Sequence, residues 1–306
     1  MNSTKNMHFE LLNVDVLCMG FACHDLVFEV DCHPGSDEKM TALALLNCGG
    51  GTASNAAITA ARLGFHAAFV GYIGTDIYGD LHLSEFKNNG VNTEWIVRGA
   101  EPTPLSAILV KPNGQRTIIN YRGNGEGYCS GRFDLSQMQT KSILIDGHQY
   151  EFAQELIHYA TVYQIPTVID ADSLRPATEQ LVQNVDYVVA SERFAYEYAN
   201  QTSVEAGLSK LAMVAPNVVV TLGERGLIWQ QGSETGRLNA FSVEAVDTTG
   251  AGDAFHGAFA AGLATNMEWP ELLRYASAVG ALCCTKQGGR IGIPSKDEVI
   301  AFLDSN

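Results

Sequence analysis

Along the chain, short apolar runs that end on Gly or a polar residue alternate with longer stretches of helical apolar spacing. VDVLCMG (14–20) is a continuous apolar run closing on glycine, which predicts a buried strand. LVFEVD (26–31) alternates, and DCHPGSDEK after it is turn material. GGGTASNAAITAARLG (49–64) opens on three glycines and becomes an Ala-rich helix that stops at Gly64. AAFVGYIG (67–74) predicts a strand and IYGDLHLSEFKNNG (77–90) a helix, with Gly90 just past its end. The rhythm resumes with strands SILIDG (142–147), TVIDAD (167–172), VDYVVAS (185–191) and NVVVTLG (217–223), and a helix EFAQELIHYATVYQ (151–164). FSVEAVD (241–247) alternates in the same way, a helix then runs through Leu263, and ELLRYASAVGALCCTK reads as the last helix.

The middle of the chain breaks this rhythm. In TPLSAILVKPNGQRTIINYR (103–122), two β-rich runs flank Pro112-Asn113-Gly114, a hairpin signal. Strands alternating with helices predict an α/β fold: a three-layer, mainly parallel central sheet flanked by helices, with ligands at the carboxyl ends of the strands. The hairpin adds a small β-sheet lid, formed by strands from about 26–48 and 103–123. No linker or internal repeat divides residues 1–306, so one domain is expected. The hairpin's apolar residues Leu105, Ile108, Val110, Ile118 and Ile119 need cover, which predicts a homodimer through the lid.

Composition narrows the function. Nineteen basic residues against thirty-four acidic ones leave a formal charge of −15. That balance argues against nucleic-acid and anionic-membrane partners, and leaves any anionic ligand to be held by local dipoles, a metal ion or a few placed cations. The seven cysteines are odd in number, scattered and free of CxxC pairs, which points to reduced thiols in a cytoplasm. The first ten residues, MNSTKNMHFE, carry no secretion-signal pattern, and no apolar run approaches a membrane span.

The candidate chemistry centres on DTTGAGDAFHGAF (247–259). Gly250, Ala251 and Gly252 precede a helix whose first N–H groups are free to meet an anion. Asp253 follows directly, as an acid where a phosphate would bind. No GxxxxGK[ST], HExxH or GxSxG motif occurs, and GAGDAF lacks the third glycine of a dinucleotide fingerprint.

DTTGAGD closely resembles a signature of the ribokinase-like (PfkB) carbohydrate kinases, and GGGTASNAAITAARLG resembles their other signature. The likeness runs over essentially the whole chain in the same order. It implies an ATP-dependent phosphotransferase acting on a hydroxymethyl group of a sugar, with Mg²⁺ at the phosphates. On that resemblance Asp253 is the general base, and the N–H groups of Gly250, Ala251 and Gly252 form the anion hole. Asp25, Gly50, Gly51 and Asn55 match sugar contacts, joined by Asp146, with His148 beside it. Ser191, Thr221, Gly223, Glu224 and Gly226 resemble the segments beside the nucleotide. Asp247 and Thr249, with carbonyls of Cys283, Lys286 and Gly288, match a monovalent-cation (K⁺) site, although the family's side-chain ligand in the last loop aligns with Gly292.

A second departure is Ser191-Glu192-Arg193-Phe194, which stands where many members carry Asn-x-x-Glu. Ketohexokinases and sulfofructose kinases share it, which favours a ketose-like acceptor. Arg122 and Arg290 are candidates for meeting an anionic group on the substrate. A nucleoside kinase and a non-catalytic sugar or nucleotide sensor are the alternatives.

Overall fold

A computed structural model of the protein describes residues 11–112, 115–123 and 129–306. The first ten residues and the Asn113-Gly114 turn of the expected hairpin lie outside the described residues.

Val16–Gly20 shows how the layers arise, because its residues are buried on both sides. Leu17 and Met19 enter one apolar core, which also holds Phe152, Leu156 and Phe194. Val16 and Cys18 enter a second, with Ile58, Phe69 and Phe259. Alternate side chains of a strand leave opposite faces, so a strand apolar at every position must have helices on both sides.

The large sheet has nine strands, in the spatial order Glu234–Leu238, Leu227–Gln231, Asn217–Thr221, Tyr187–Ser191, Thr167–Ala171, Ser142–Ile145, Val16–Gly20, Ala67–Gly74 and Ile96–Gly99. All neighbouring pairs are parallel except the two at the Glu234–Leu238 edge. A separate sheet orders Ala44–Gly50, Cys23–Glu29, Leu105–Val110 and Arg116–Tyr121. Two short strands, Leu12–Asn13 and Met138–Gln139, pair beside them.

Four expectations change. FSVEAVD forms no strand; Val246 and Asp247 instead donate their N–H groups to the carbonyl of Cys284. The helix Trp269–Cys283 is not the last, since Ser295 caps a further one, Lys296–Ser305, through a capping box with Glu298. The antiparallel hairpin of Leu227–Gln231 and Glu234–Leu238 turns at Gly232, where φ is 56°.

The five apolar residues of the small sheet also do not share a face. Cross-strand register puts Leu105 with Tyr121 and Ala107 with Ile119, but Ile108 with Ile118 and Val110 with Arg116. Ile108, Val110 and Ile118 therefore lie on the face that carries Asp25, while Ile119 and Tyr121 lie on the other with Leu45. Leu45, Ile119 and Tyr121 are exposed.

Candidate active site

The two motifs meet at one hydrogen bond. Asn55, on the helix Thr52–Arg62, donates Nδ2 to Asp253 Oδ2 at 2.6 Å. Asp253 stands in the first turn of Ala251–Ala264, a helix that packs against Thr52–Arg62. Gly250 opens that helix at φ 74°, a left-handed conformation open to glycine at little cost. Ala251 N–H bends back to Thr248 O at 3.3 Å, while a Cβ on Gly252 would point into open space.

Burial above all, then the neighbouring Asp170, push the pKa of Asp253 up to about 7; the Asn55 hydrogen bond and His256 oppose that rise. Asp170, next to last in the strand Thr167–Ala171, is buried and leaves Oδ1 without a hydrogen-bond partner among the described residues. Its own pKa is raised by burial first and by Asp172 and Asp146 next. His256, one turn along from Asp253, faces Gly252 O at 2.6 Å and Val189 O at 3.1 Å, with Asp170 Oδ2 at 3.4 Å. The sequence reading missed both residues. Their signal was a carboxylate near the end of a central strand and a histidine at i+3 from the candidate base.

Asp25 lies on the small sheet, within hydrogen-bond reach of Cys23 Sγ at 3.2 Å. Burial raises its pKa against the pull of Cys23, Ser106 and Arg290. Gly50 leaves room for the Asp25 carboxylate, which a Cβ there would overlap. Gly51 has φ 100°, and a Cβ on it would meet Phe21 O at 2.6 Å.

Two residues assigned to the substrate are committed elsewhere. Asp146 is 1% exposed, and its oxygens accept from the N–H groups of Phe21, Ala53 and His148 and from Thr52 Oγ1. Burial works to raise its pKa, but His148 and these donors hold it well below the usual carboxylate range. Asp146 is thus a pin that joins the strand ends to the start of Thr52–Arg62. Asn55, 6% exposed, spends its amide on Asp253 and on Arg290.

Arg290 is no surface arginine, being 2% exposed with donors to Asn55 Oδ1, Glu85 Oε2, Ser54 Oγ and Gly50 O. No face of it is left for a substrate anion. Arg122 is exposed, with its guanidinium 5.6 Å from the Phe21 ring, and Phe21 stacks on His148.

Ser191, Thr221 and Gly223 line one open groove of about 590 Å³ with Glu192 and Tyr196. Ser191 also caps the helix Glu192–Ala199, accepting from Phe194 N and donating to Asp172 O. Glu224 sits in the short turn Gly223–Arg225, and Gly226 follows at φ 85° against the backbone of Asn239 and Ala240. A cleft of about 750 Å³ opens between the small sheet and the Asp247–Thr249 loop, lined by Val110, Arg116 and Gln287 among others. Arg116 crosses it, donating to Thr249 Oγ1 at 2.7 Å.

The expected monovalent-cation donors are in part engaged within the protein. Both Asp247 oxygens accept backbone N–H groups, from Thr249 and Gly288. Gly288 O accepts from Gly292 N. Gly292 packs so closely on Cys283 O that any Cβ would overlap it, so the family's side-chain ligand is sterically excluded. Lys286 pairs with Glu298 at 2.7 Å. All seven cysteines are free. Among the described residues, no helix is long and apolar enough to cross a membrane.

Known proteins share the sequence family and the fold. The sequence profile described as "pfkB family carbohydrate kinase" matches residues 13–296. A ribokinase of Bacillus subtilis is 27% identical over 293 residues, covering 94% of this chain and 99% of its own. The ribokinase of Thermotoga maritima superposes with a TM-score of 0.84 at 28% identity, covering 95% of this chain and 99% of its own. A fructokinase of Xylella fastidiosa, solved with bound ATP, gives 0.79 at 25% identity, over 95% and 98%.

Proposed function

The chain belongs to the pfkB family of carbohydrate kinases, and from that premise we propose that Asp253 is its catalytic base, working beside an anion hole at Gly250–Gly252. It is an ATP-dependent sugar kinase of the ribokinase and fructokinase type. The observation that carries the finer reading is the Asn55–Asp253 contact, which brings the two motifs to one point at the foot of a helix.

In the proposed reaction, a sugar hydroxymethyl group lies between Asp25 and Asp253. The hydroxyl oxygen attacks the γ-phosphorus of ATP, the bond to ADP breaks, and Asp253 accepts the hydroxyl proton. N–H groups at the helix start, with its dipole, face the charge on the moving phosphoryl group. A pKa near 7 suits a base that must take up a proton near neutral pH.

ATP occupies the groove at Ser191, Thr221 and Gly223, with Glu224 and Gly226 along its edge. Among the described residues no group of three or more His, Cys, Asp or Glu gathers as a metal cage. Mg²⁺ would be carried mainly by phosphates and water, with the exposed Asp172 as the carboxylate that would hold its water. The ion would neutralise phosphate charge.

The small sheet is the lid of a single catalytic domain. It closes over the sugar through the Arg116–Thr249 contact and excludes water, a competing acceptor. Its exposed outer face, with Leu45, Ile119 and Tyr121, pairs with a second copy to give a homodimer. A panel of aldoses and ketoses assayed for ADP release should find at least one acceptor. Asp253→Ala should lower its kcat by about a hundredfold or more while ATP binding is retained. Undiminished turnover in that variant would overturn the assignment.

A further inference from the structure

The Asp253 carboxylate is aimed by a chain of contacts that begins at the other end of the sequence. Arg290, in the loop after Trp269–Cys283, is held in place from several sides. Arg62 Nη1 donates to Arg290 O at 2.6 Å and to Ile293 O at 3.0 Å, fixing the loop. Glu85 Oε2 accepts from Arg290 Nη1 at 2.6 Å, and the Phe86 ring lies 5.5 Å from the guanidinium. Gly49 leaves room for the guanidinium, since a Cβ there would overlap Nη1 in its present position. His82, 3.2 Å from Nη2, is kept neutral by burial and by Arg290 itself.

This guanidinium meets Asn55 through Nε, 2.8 Å from Oδ1. Guanidinium groups only donate, so the amide atom facing Arg290 must be oxygen. The NH₂ of Asn55 is then obliged to turn to Asp253, 2.6 Å away. Without Arg290 the amide could rotate and present its oxygen to Asp253. That arrangement suits a protonated carboxyl and repels a carboxylate.

We propose that Arg290 is a positioning residue for the catalytic base: by holding Asn55 Oδ1 it turns the Asn55 NH₂ onto Asp253 and favours the proton-accepting form. The inference rests on the assignment of Asp253 as the base. Other charged or titratable groups facing Asp253 are Asp170 and Asp172, His256 on its own helix, and Cys283 on the helix alongside. None of these contacts Arg290 in the chain just described, so their influence persists when Arg290 is replaced.

The test compares pH profiles of kcat and kcat/KM for Arg290→Met, Asn55→Leu, the double variant and Asp253→Ala. Arg290→Met should lower kcat about 10- to 100-fold, with both KM values within about threefold, as for a misplaced catalytic group. Its acidic limb should move to higher pH, because a donor to the carboxylate is lost. Asn55→Leu should do the same, and the double variant should match the worse single within about twofold.

Should Arg290→Met fail to fold, Glu85→Gln loosens Arg290 from its partly exposed partner and should move the limb the same way, less far. A wild-type limb in whichever variant folds, or multiplying losses in the double variant, overturns the positioning role. An inactive Asp253→Ala alongside that result leaves the base assignment standing. An active Asp253→Ala removes the base assignment, and this inference with it.

Discussion

Gly50 lies directly against Asp25, so closely that a single methyl group on it would overlap the Asp25 carboxylate. The small sheet thus delivers its acid onto a bare stretch of backbone at the entry to Thr52–Arg62. Gly50→Ala should displace Asp25 and raise the KM for the sugar about tenfold or more, while the KM for ATP changes less than about twofold. Initial-rate kinetics with each substrate varied will show it. Equal effects on both would remove Asp25 from the sugar site.

Asp253 sets the expected pH dependence. With its pKa raised to about 7, the proposed base is protonated as pH falls, and kcat/KM should drop about tenfold per unit below that point. Stability carries the opposite sign from an ordinary ion-paired carboxylate. Between the usual 3.8 and about 7 the folded chain holds a proton that the unfolded chain releases, so this group's contribution weakens as pH rises through that window. Thermal unfolding of wild type and Asp253→Asn across pH should show a steeper loss of stability in the wild type, since Asp25 and Asp170, also raised by burial, keep their share of the slope in both.

Gly292 leads to a prediction about ions. Because a Cβ at Gly292 would overlap Cys283 O, no side-chain ligand stands there, and replacing Na⁺ with K⁺ should change kcat by no more than about twofold. Gly292→Ser should fail to create potassium activation and should lower the melting temperature, since its Cβ would overlap Cys283 O.

The outer face of the small sheet supplies the test of assembly. Ile119, 64% exposed, is the residue to charge. Ile119→Glu should convert the proposed dimer to a monomer in sedimentation at micromolar concentration, with ATP binding retained. A wild-type chain that is already monomeric would refute the pairing.

The large sheet was legible because its inner strands are mostly apolar, as in Val16–Gly20 and Ala67–Gly74, and such runs have few other readings. The pair Leu227–Gln231 and Glu234–Leu238 escaped notice because its pattern is partly polar at the sheet edge. FSVEAVD misled because alternation measures amphipathicity; a strand also needs a partner, and here Cys284 O takes the N–H groups. In the site, Asp253 and Asn55 stood out through their motifs. Arg290 was misread because an arginine in a glycine-rich loop usually faces solvent, and its burial depends on Gly49, Asn55 and Glu85, all far away in sequence.

That distance has a consequence for how the enzyme comes into being. Asn55 and Asp253 are 198 positions apart, and Arg290 is 235 from Asn55. Contacts of such range close late, after the local units have formed. A nascent chain emerging from the ribosome can build its first βα units and still lack the proposed base in its aimed position until Arg290 has been made. Competence for phosphoryl transfer therefore arrives together with completion of the fold, and partly folded chains have little means of spending ATP.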